Sequence, residues 1–209
     1  MSDLSDASWN GDLETVKKLV LSGSYIHADN DLALRLASAR GHLDVVRFLV
    51  ELGADINEEY VIRFAVMSGH LDVVRFLAES GANIHTDNSI ALQLAAKNRH
   101  LDVVKFLVES GANIHADNDL ALRWAVENGH LDVVKFLVES GADIHAENDE
   151  SLQWAAEYGH LNVVGFLITS GADFLKHQPE MKKLLGVDDL PESKEEIINL
   201  LNTAIVINK

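Results

Sequence analysis

The chain has no cysteine, so it cannot build a disulfide scaffold, a cysteine-ligated zinc site or a thiol nucleophile. That absence fits a reducing compartment. Basic residues are scarce: 17 Lys and Arg stand against 33 Asp and Glu, a formal charge of −16. Such a surface repels nucleic acid and anionic lipid at long range, and it suits a basic or neutral partner or simple solubility. The opening MSDLSDASWNGDLETV is polar and acidic, unlike a secretory signal, and the apolar runs fall far short of a membrane span. Neither nucleic acid nor membrane is expected as a partner. There is no glycine-rich phosphate loop, no G-x-S-x-G, no H-E-x-x-H, and no carboxylate pair outside a repeating pattern. No catalysis and no cofactor are expected. What remains is an intracellular chain of 209 residues, 47 % apolar, with enough to form a core.

What the sequence does have is repetition. GHLDVVKFLVESGA at 129–142 returns as RHLDVVKFLVESGA at 99–112, GHLDVVRFLVELGA at 41–54, GHLDVVRFLAESGA at 69–82 and GHLNVVGFLITSGA at 159–172. A divergent copy, GDLETVKKLVLSGS, occupies 11–24, and the successive spacings are 30, 28, 30, 30 and 30. A fixed period in this range marks stacked units, each too small to bury its own apolar face.

Each unit reads as two helices. In the second, Asp44, Arg47 and Glu51 form one polar stripe, and Leu43, Val45, Val46, Phe48, Leu49 and Val50 cover the rest. Asp44–Arg47, Asp72–Arg75, Asp102–Lys105 and Asp132–Lys135 are spaced as i,i+3 ion pairs, and Gly53, Gly81, Gly111, Gly141 and Gly171 suit left-handed helix ends. The first helix carries LALRLASAR, IALQLAAKN or LALRWAVEN; Asp31, Ser89, Asp119 and Asp149 precede it as expected N-caps, and small Ala33 and Ala37 allow close approach. Trp124 and Trp154 share a column with Leu36, Phe64 and Leu94, which points to core packing.

These residues, G-H-L-x-V-V-x-F-L followed by G-A-(D/N)-I, resemble the ankyrin repeat over about 2–174. The period is shorter than the family's 33, T-P-L-H is replaced by LALR (32–35) and its equivalents, and the glycine-bearing hairpin tip is missing. The resemblance implies an all-α, ankyrin-type helix-turn-helix solenoid with shortened fingers and little or no β-structure. Six units are expected, at about 2–28, 29–58, 59–86, 87–116, 117–146 and 147–174. The short, Asp-Asn-rich form also resembles ankyrin proteins of giant amoeba-infecting viruses, which would place it in host cytoplasm. Asp6 and Lys18 stand where other units have apolar residues, as an end unit requires. Residues 175–209 break the period. They are expected to form a helical cap, with one helix opened by Pro179 and closed by Gly186. A second helix carries Ile197, Ile198, Leu200, Leu201, Ala204 and Ile205, and starts near Pro191 or at a Ser193–Glu196 capping box.

Nine of the ten histidines fall in two columns: His42, His70, His100, His130 and His160 before the second helix, and His27, His85, His115 and His145 in the loop, where Asn57 breaks the ladder. Equivalent positions in packed helices lie about 8–10 Å apart. Two ligands of one zinc each lie about 2.0–2.1 Å from it. The ladder therefore suits bonds to carbonyls rather than a shared metal, and all ten rings could gain charge toward pH 5. The acidic loops 29–31, 87–89, 117–119 and 147–149 lack the central Gly and distal Glu of an EF-hand and read as turns. No metal site is expected.

Function then falls to the letters that vary. The two positions before each Gly-His are the most diverse: Trp9-Asn10, Ala39-Arg40, Met67-Ser68, Lys97-Asn98, Glu127-Asn128 and Glu157-Tyr158. By resemblance they lie on the concave partner-binding face, with charge running from Arg40 and Lys97 to Glu127 and Glu157. The expected function is a noncatalytic, monomeric protein-interaction scaffold. The alternative is a ubiquitin-ligase adaptor, because LPESKEEIINLL at 190–201 resembles a shortened F-box opening; a decoy or engineered repeat is a third reading.

Overall fold

The computed structural model describes residues 3–57, 59–84 and 86–207, with all of their side chains except those of 59, 86–88 and 207. The chain divides into two compact units, 1–113 and 114–209. The first unit contains α1 (Asp3–Asn10), α2 (Leu13–Leu21), α3 (Leu32–Arg40), α4 (Leu43–Glu51), α5 (Glu59–Met67), α6 (Leu71–Glu79), α7 (Thr86–Lys97) and α8 (Leu101–Glu109). The second contains α9 (Ala116–Glu127), α10 (Leu131–Glu139), α11 (Ala146–Glu157), α12 (Leu161–Ser170), α13 (Gln178–Leu185) and α14 (Lys194–Ile207). No strand occurs among the described residues, as the missing hairpin tip implies.

Within the first unit the first helices pack in succession, α1 on α3, α3 on α5 and α5 on α7; the second helices follow as α2, α4, α6 and α8. The second unit repeats this with α9 on α11 and α10 on α12. α4, α6, α8, α10 and α12 each bury two valines and a leucine, as Val45, Val46 and Leu49 in α4, where Asp44, Arg47 and Glu51 stay exposed; α2 of the end repeat buries only Val16. Ala33 and Ala37 are buried on α3, where their small size lets the neighbouring helix come close. Asp6 and Lys18 are exposed at the first repeat, as an uncovered end requires.

The i,i+3 partners expected at Asp44–Arg47 and Asp72–Arg75 engage other groups instead. The Asp44 and Asp72 carboxylates accept from the backbone amides of Val45 and Val73, both at 2.8 Å. The guanidinium of Arg47 instead lies over the Phe76 ring at 4.4 Å, and that of Arg75 over Phe106 at 4.7 Å. A cation on an aromatic face of the next repeat outcompetes a solvated pair on its own helix. A second correction concerns Trp124 and Trp154, which are half-buried rather than core residues.

The N-cap expectation also gives way. Asp29-Asn30-Asp31, Asp117-Asn118-Asp119 and Glu147-Asn148-Asp149 each run through three left-handed residues, with φ between 50° and 65°. Asp31 makes no cap bond to its own helix. Its Oδ1 accepts from the Asp55 amide of the following loop at 3.2 Å. Ser89 Oγ accepts from Asn113 N at 3.0 Å, and Asp119 Oδ1 from Asp143 N at 2.9 Å. Asn57 Oδ1 does the same for Asn83 N at 3.1 Å. The side chain, buried at Asp31, Ser89 and Asp119 and exposed at Asn57, ties one loop to the next.

At the C-terminus, Pro179 opens α13 and Gly186 closes it in a left-handed turn. Ser193 Oγ accepts from Glu196 N at 3.2 Å, so α14 starts at its capping serine rather than at Pro191. The helix lies on α12 with Ile197 and Leu201 buried and Ile198 and Leu200 half-buried.

Arg99 stands where four other repeats have the glycine before histidine, and its φ is +62°. Side chains with a Cβ resist that region. Arg99→Gly is expected to raise stability by about 0.5–1 kcal/mol, net of the greater entropy that glycine gives the unfolded chain. A rise of about 2 °C in the melting midpoint would confirm it.

Candidate partner-binding surface

The histidine before each second helix reaches back to the preceding repeat. His42 Nε2 bonds the Trp9 carbonyl at 3.0 Å, His70 the Ala39 carbonyl at 3.2 Å, and His100 the Met67 carbonyl at 2.8 Å. In the second unit His160 Nε2 bonds the Glu127 carbonyl at 2.8 Å. The acceptor is thus the end of the first helix, and the residue whose carbonyl is held is the first member of the varying pair in these four cases. Its backbone is fixed by the next repeat. That arrangement explains how the position can vary without loss of the stack.

Ten of the twelve expected binding residues are exposed: Trp9, Asn10, Arg40, Met67, Ser68, Lys97, Asn98, Asn128, Glu157 and Tyr158. Ala39 and Glu127 are half-buried. Three of the set serve the scaffold as well, since Asn10, Asn98 and Asn128 each donate Nδ2 to the carbonyl four residues back at 2.8 Å. The large apolar members are the more telling ones. Trp9 is 38 %, Met67 42 % and Tyr158 54 % exposed, and the Arg40 guanidinium lies over the Trp9 ring at 4.6 Å.

The varying pairs are not the whole surface. Tyr60, 41 % exposed at the start of α5, tilts onto Phe64 with ring centroids 5.6 Å apart. Arg35 of α3 lies over the Tyr60 ring at 5.8 Å. These residues fall in the segments that replace T-P-L-H, and reading those segments only as scaffold hid the exposure of Tyr60. A shallow groove between α4 and α6, lined by Leu43, Arg47, Leu71, Arg75 and Phe76, has the repeated letters as its walls and follows from the stacking itself.

The loop histidines hold the buried acids. His27 Nδ1 meets Asp31 at 3.0 Å, His115 meets Asp119 at 3.1 Å and His145 meets Asp149 at 2.5 Å. His85 lies outside the described residues. Asp149 is fully buried and also takes Lys176 Nζ at 2.6 Å. Burial pushes its pKa up, but hydrogen bonds and charge from Lys176 and His145 outweigh that and hold the carboxyl below its ordinary value. The same bond to Asp149 raises the Lys176 ammonium. A carboxylate with a lowered folded pKa stabilises above its unfolded value, about 3.9, and loses that contribution as pH falls through the folded one. The stability gap between the natural chain and Lys176→Met should therefore be full at neutral pH and close as the pH falls from the unfolded value through the lowered folded one. Urea titrations at several pH values check this; a gap that persists in acid would mean that Lys176 acts by packing.

The sequence pattern of ankyrin repeats matches three times, over 4–88, 65–148 and 92–178. The chain belongs to the ankyrin repeat family. A stretch of 47 residues, 22 % of the chain, is 40 % identical to the ankyrin repeat protein R896 of Acanthamoeba polyphaga mimivirus, and the match spans only 14 % of that protein. The crystal structure of the human ASB11 ankyrin repeat domain superposes with a TM-score of 0.79 at 25 % identity, covering 96 % of this chain and 98 % of that one. The ankyrin repeat is a protein-interaction scaffold, and the family is generally non-catalytic. No helix among the described residues is long and apolar enough to cross a membrane.

Proposed function

We propose that this ankyrin chain holds a partner protein along the exposed ends of its first helices. One observation carries the reading. The diverse positions Trp9, Ala39, Met67 and Glu127 have their carbonyls clamped by the histidine of the following repeat, which leaves their side chains to be chosen for something other than folding. Exposed Trp9 and Met67 with Arg40 and Lys97 in the first unit, and exposed Tyr158 with Glu157 in the second, supply the apolar and charged groups that an interface core and its rim require. Residues 175–209 act as the C-terminal cap, a role supported by the burial of Ile197 and Leu201 of α14, which packs on α12. That burial leaves the F-box-like reading of 190–201 little apolar surface with which to dock a ligase. The lack of cysteine and the acidic surface fit a monomer inside a host cell.

The test is affinity capture from host-cell lysate with the intact chain beside a variant altered at Arg40, Lys97, Glu127, Glu157 and Tyr158, after circular dichroism shows both folded. Proteins recovered by the first and missing from the second support the surface. Recovery of the same proteins by both would move the site elsewhere, and ligase subunits lost on truncation at Leu190 would revive the adaptor reading.

A further inference from the structure

The second members of the varying pairs are Asn10, Arg40, Ser68, Asn98, Asn128 and Tyr158. The three asparagines are exposed, and each donates Nδ2 to the carbonyl four residues back at 2.8 Å. Asn10 and Asn128 precede glycine, whereas Asn98 precedes Arg99; no other asparagine of the chain precedes glycine. That difference is chemical. The backbone nitrogen that follows an asparagine can attack its Cγ, and the approach is least hindered when the following residue has no Cβ. The nitrogen loses its proton and bonds to Cγ, the side-chain nitrogen leaves as ammonia, and a succinimide ring results. Water then opens the ring at one carbonyl or the other, giving aspartate or isoaspartate. Either product adds a negative charge at a helix end, and isoaspartate also lengthens the backbone by one carbon.

The fold both imposes the reactive pair and restrains it. Glycine is imposed by the next repeat: a Cβ on Gly11 would lie 2.5 Å from His42 Nδ1, and one on Gly129 2.6 Å from His160 Nδ1. Ring closure is opposed in three ways. It needs Cβ and the following nitrogen nearly eclipsed about the Cα–C bond, which puts ψ roughly 120° from zero. At Asn128 ψ is 2°. The nitrogen is itself engaged, since Gly129 N donates to the Val126 carbonyl at 3.0 Å and Gly11 N to the Ser8 carbonyl at 3.3 Å. The preceding carbonyl is pinned from the next repeat, Trp9 by His42 at 3.0 Å and Glu127 by His160 at 2.8 Å. Closure therefore requires the helix end to open locally, against the hold of that histidine.

We infer that Asn10 and Asn128 are deamidation sites kept as asparagine by the fold, and that the histidine of the following repeat is the latch on each. A helix end that has opened for long is then marked by a charge that reclosing does not erase. Asn98 has the same side-chain bond, and Arg99 N donates to the Ala96 carbonyl at 3.3 Å, so it is the internal control that lacks only the glycine.

The test incubates the full chain at mildly alkaline pH, folded or in urea, and follows each asparagine by peptide mass spectrometry. In urea Asn10 and Asn128 should convert while Asn98 lags. In the folded chain both should convert about tenfold or more slowly. Two variants, shown folded by thermal melts, address the latch. His42→Ala should speed Asn10 about fivefold and leave Asn128 alone, and His160→Ala should do the reverse, as loss of one hydrogen bond raises the population of open ends. Arg99→Gly supplies a third pair, so Asn98 should join the others in urea and stay protected when folded. Hydrogen exchange of the Gly11 and Gly129 amides in the natural chain needs no variant, and the faster-exchanging site should convert faster. Equal rates in the folded chain and in urea would overturn the inference, as would Asn98 of the natural chain keeping pace with Asn10 and Asn128 in urea. A histidine variant that leaves its own site unchanged, or speeds both sites alike, would overturn the latch, and so would exchange rates in the opposite order.

Discussion

Replacing Gly69 by alanine should destabilise the chain by about 3 kcal/mol, far more than a methyl group on the surface of a helical protein would suggest. Two costs add. Gly69 has a φ of +77°, a region that costs a residue with a Cβ about 1 kcal/mol or more. A Cβ there would also lie 2.3 Å from Nδ1 of His100 and 2.7 Å from its Cγ. The ring must move, and it is the same ring that bonds the Met67 carbonyl at 2.8 Å. Losing that bond costs about 1 kcal/mol, and the forced displacement about 1 kcal/mol more. A fall in melting midpoint of roughly 6–12 °C follows for a chain of this size. Gly111→Ala is the control. Its φ is +94°, but nothing lies within 4 Å of the added atom, so only the backbone cost of about 1 kcal/mol applies. Equal losses in the two variants would show that the histidine ring is not held as tightly as the bond implies.

The same clamp explains why a glycine and a histidine travel together through the sequence. Gly11, Gly41 and Gly129 also lie against the rings of His42, His70 and His160. Period, helix pairs and glycine ends could be read from the chain because each depends on residues within one unit. What could not be read depends on the next unit. Asp31 and Asp119 suit an N-cap by every local rule, yet a backbone amide 24 residues on competes for the same oxygen and wins. Arg47 has Asp44 one turn away, yet the Phe76 ring of the following repeat takes it. On the candidate surface, diversity picked out the helix ends, and most of those residues are exposed. Arg35 and Tyr60 escaped notice because they stand inside a segment that looks like a substituted family motif. Charge sign, taken segment by segment rather than over the whole chain, singles out Arg35, but uncharged Tyr60 carries no such signal.

Asp119→Ala is the second substitution with a large expected effect, about 2–3 kcal/mol. Asp119 is 4 % exposed and left-handed at φ +57°. Its Oδ1 accepts from Asp143 N at 2.9 Å and meets His115 Nδ1 at 3.1 Å. Alanine removes both bonds, leaves a part-buried amide without its acceptor, and tolerates the left-handed region less well than aspartate. Asp119→Asn should cost about 1 kcal/mol or less, because it keeps an acceptor on the same oxygen. The chain itself contains the precedent: Asn57 and Ser89 make the equivalent bond with neutral groups, to Asn83 N and Asn113 N. Urea unfolding measures the two costs, and hydrogen exchange at the Asp143 amide locates them, with protection lost in the alanine variant and kept in the asparagine one. If asparagine proves as harmful as alanine, the charge facing His115 rather than the loop-to-loop bond is what the position supplies.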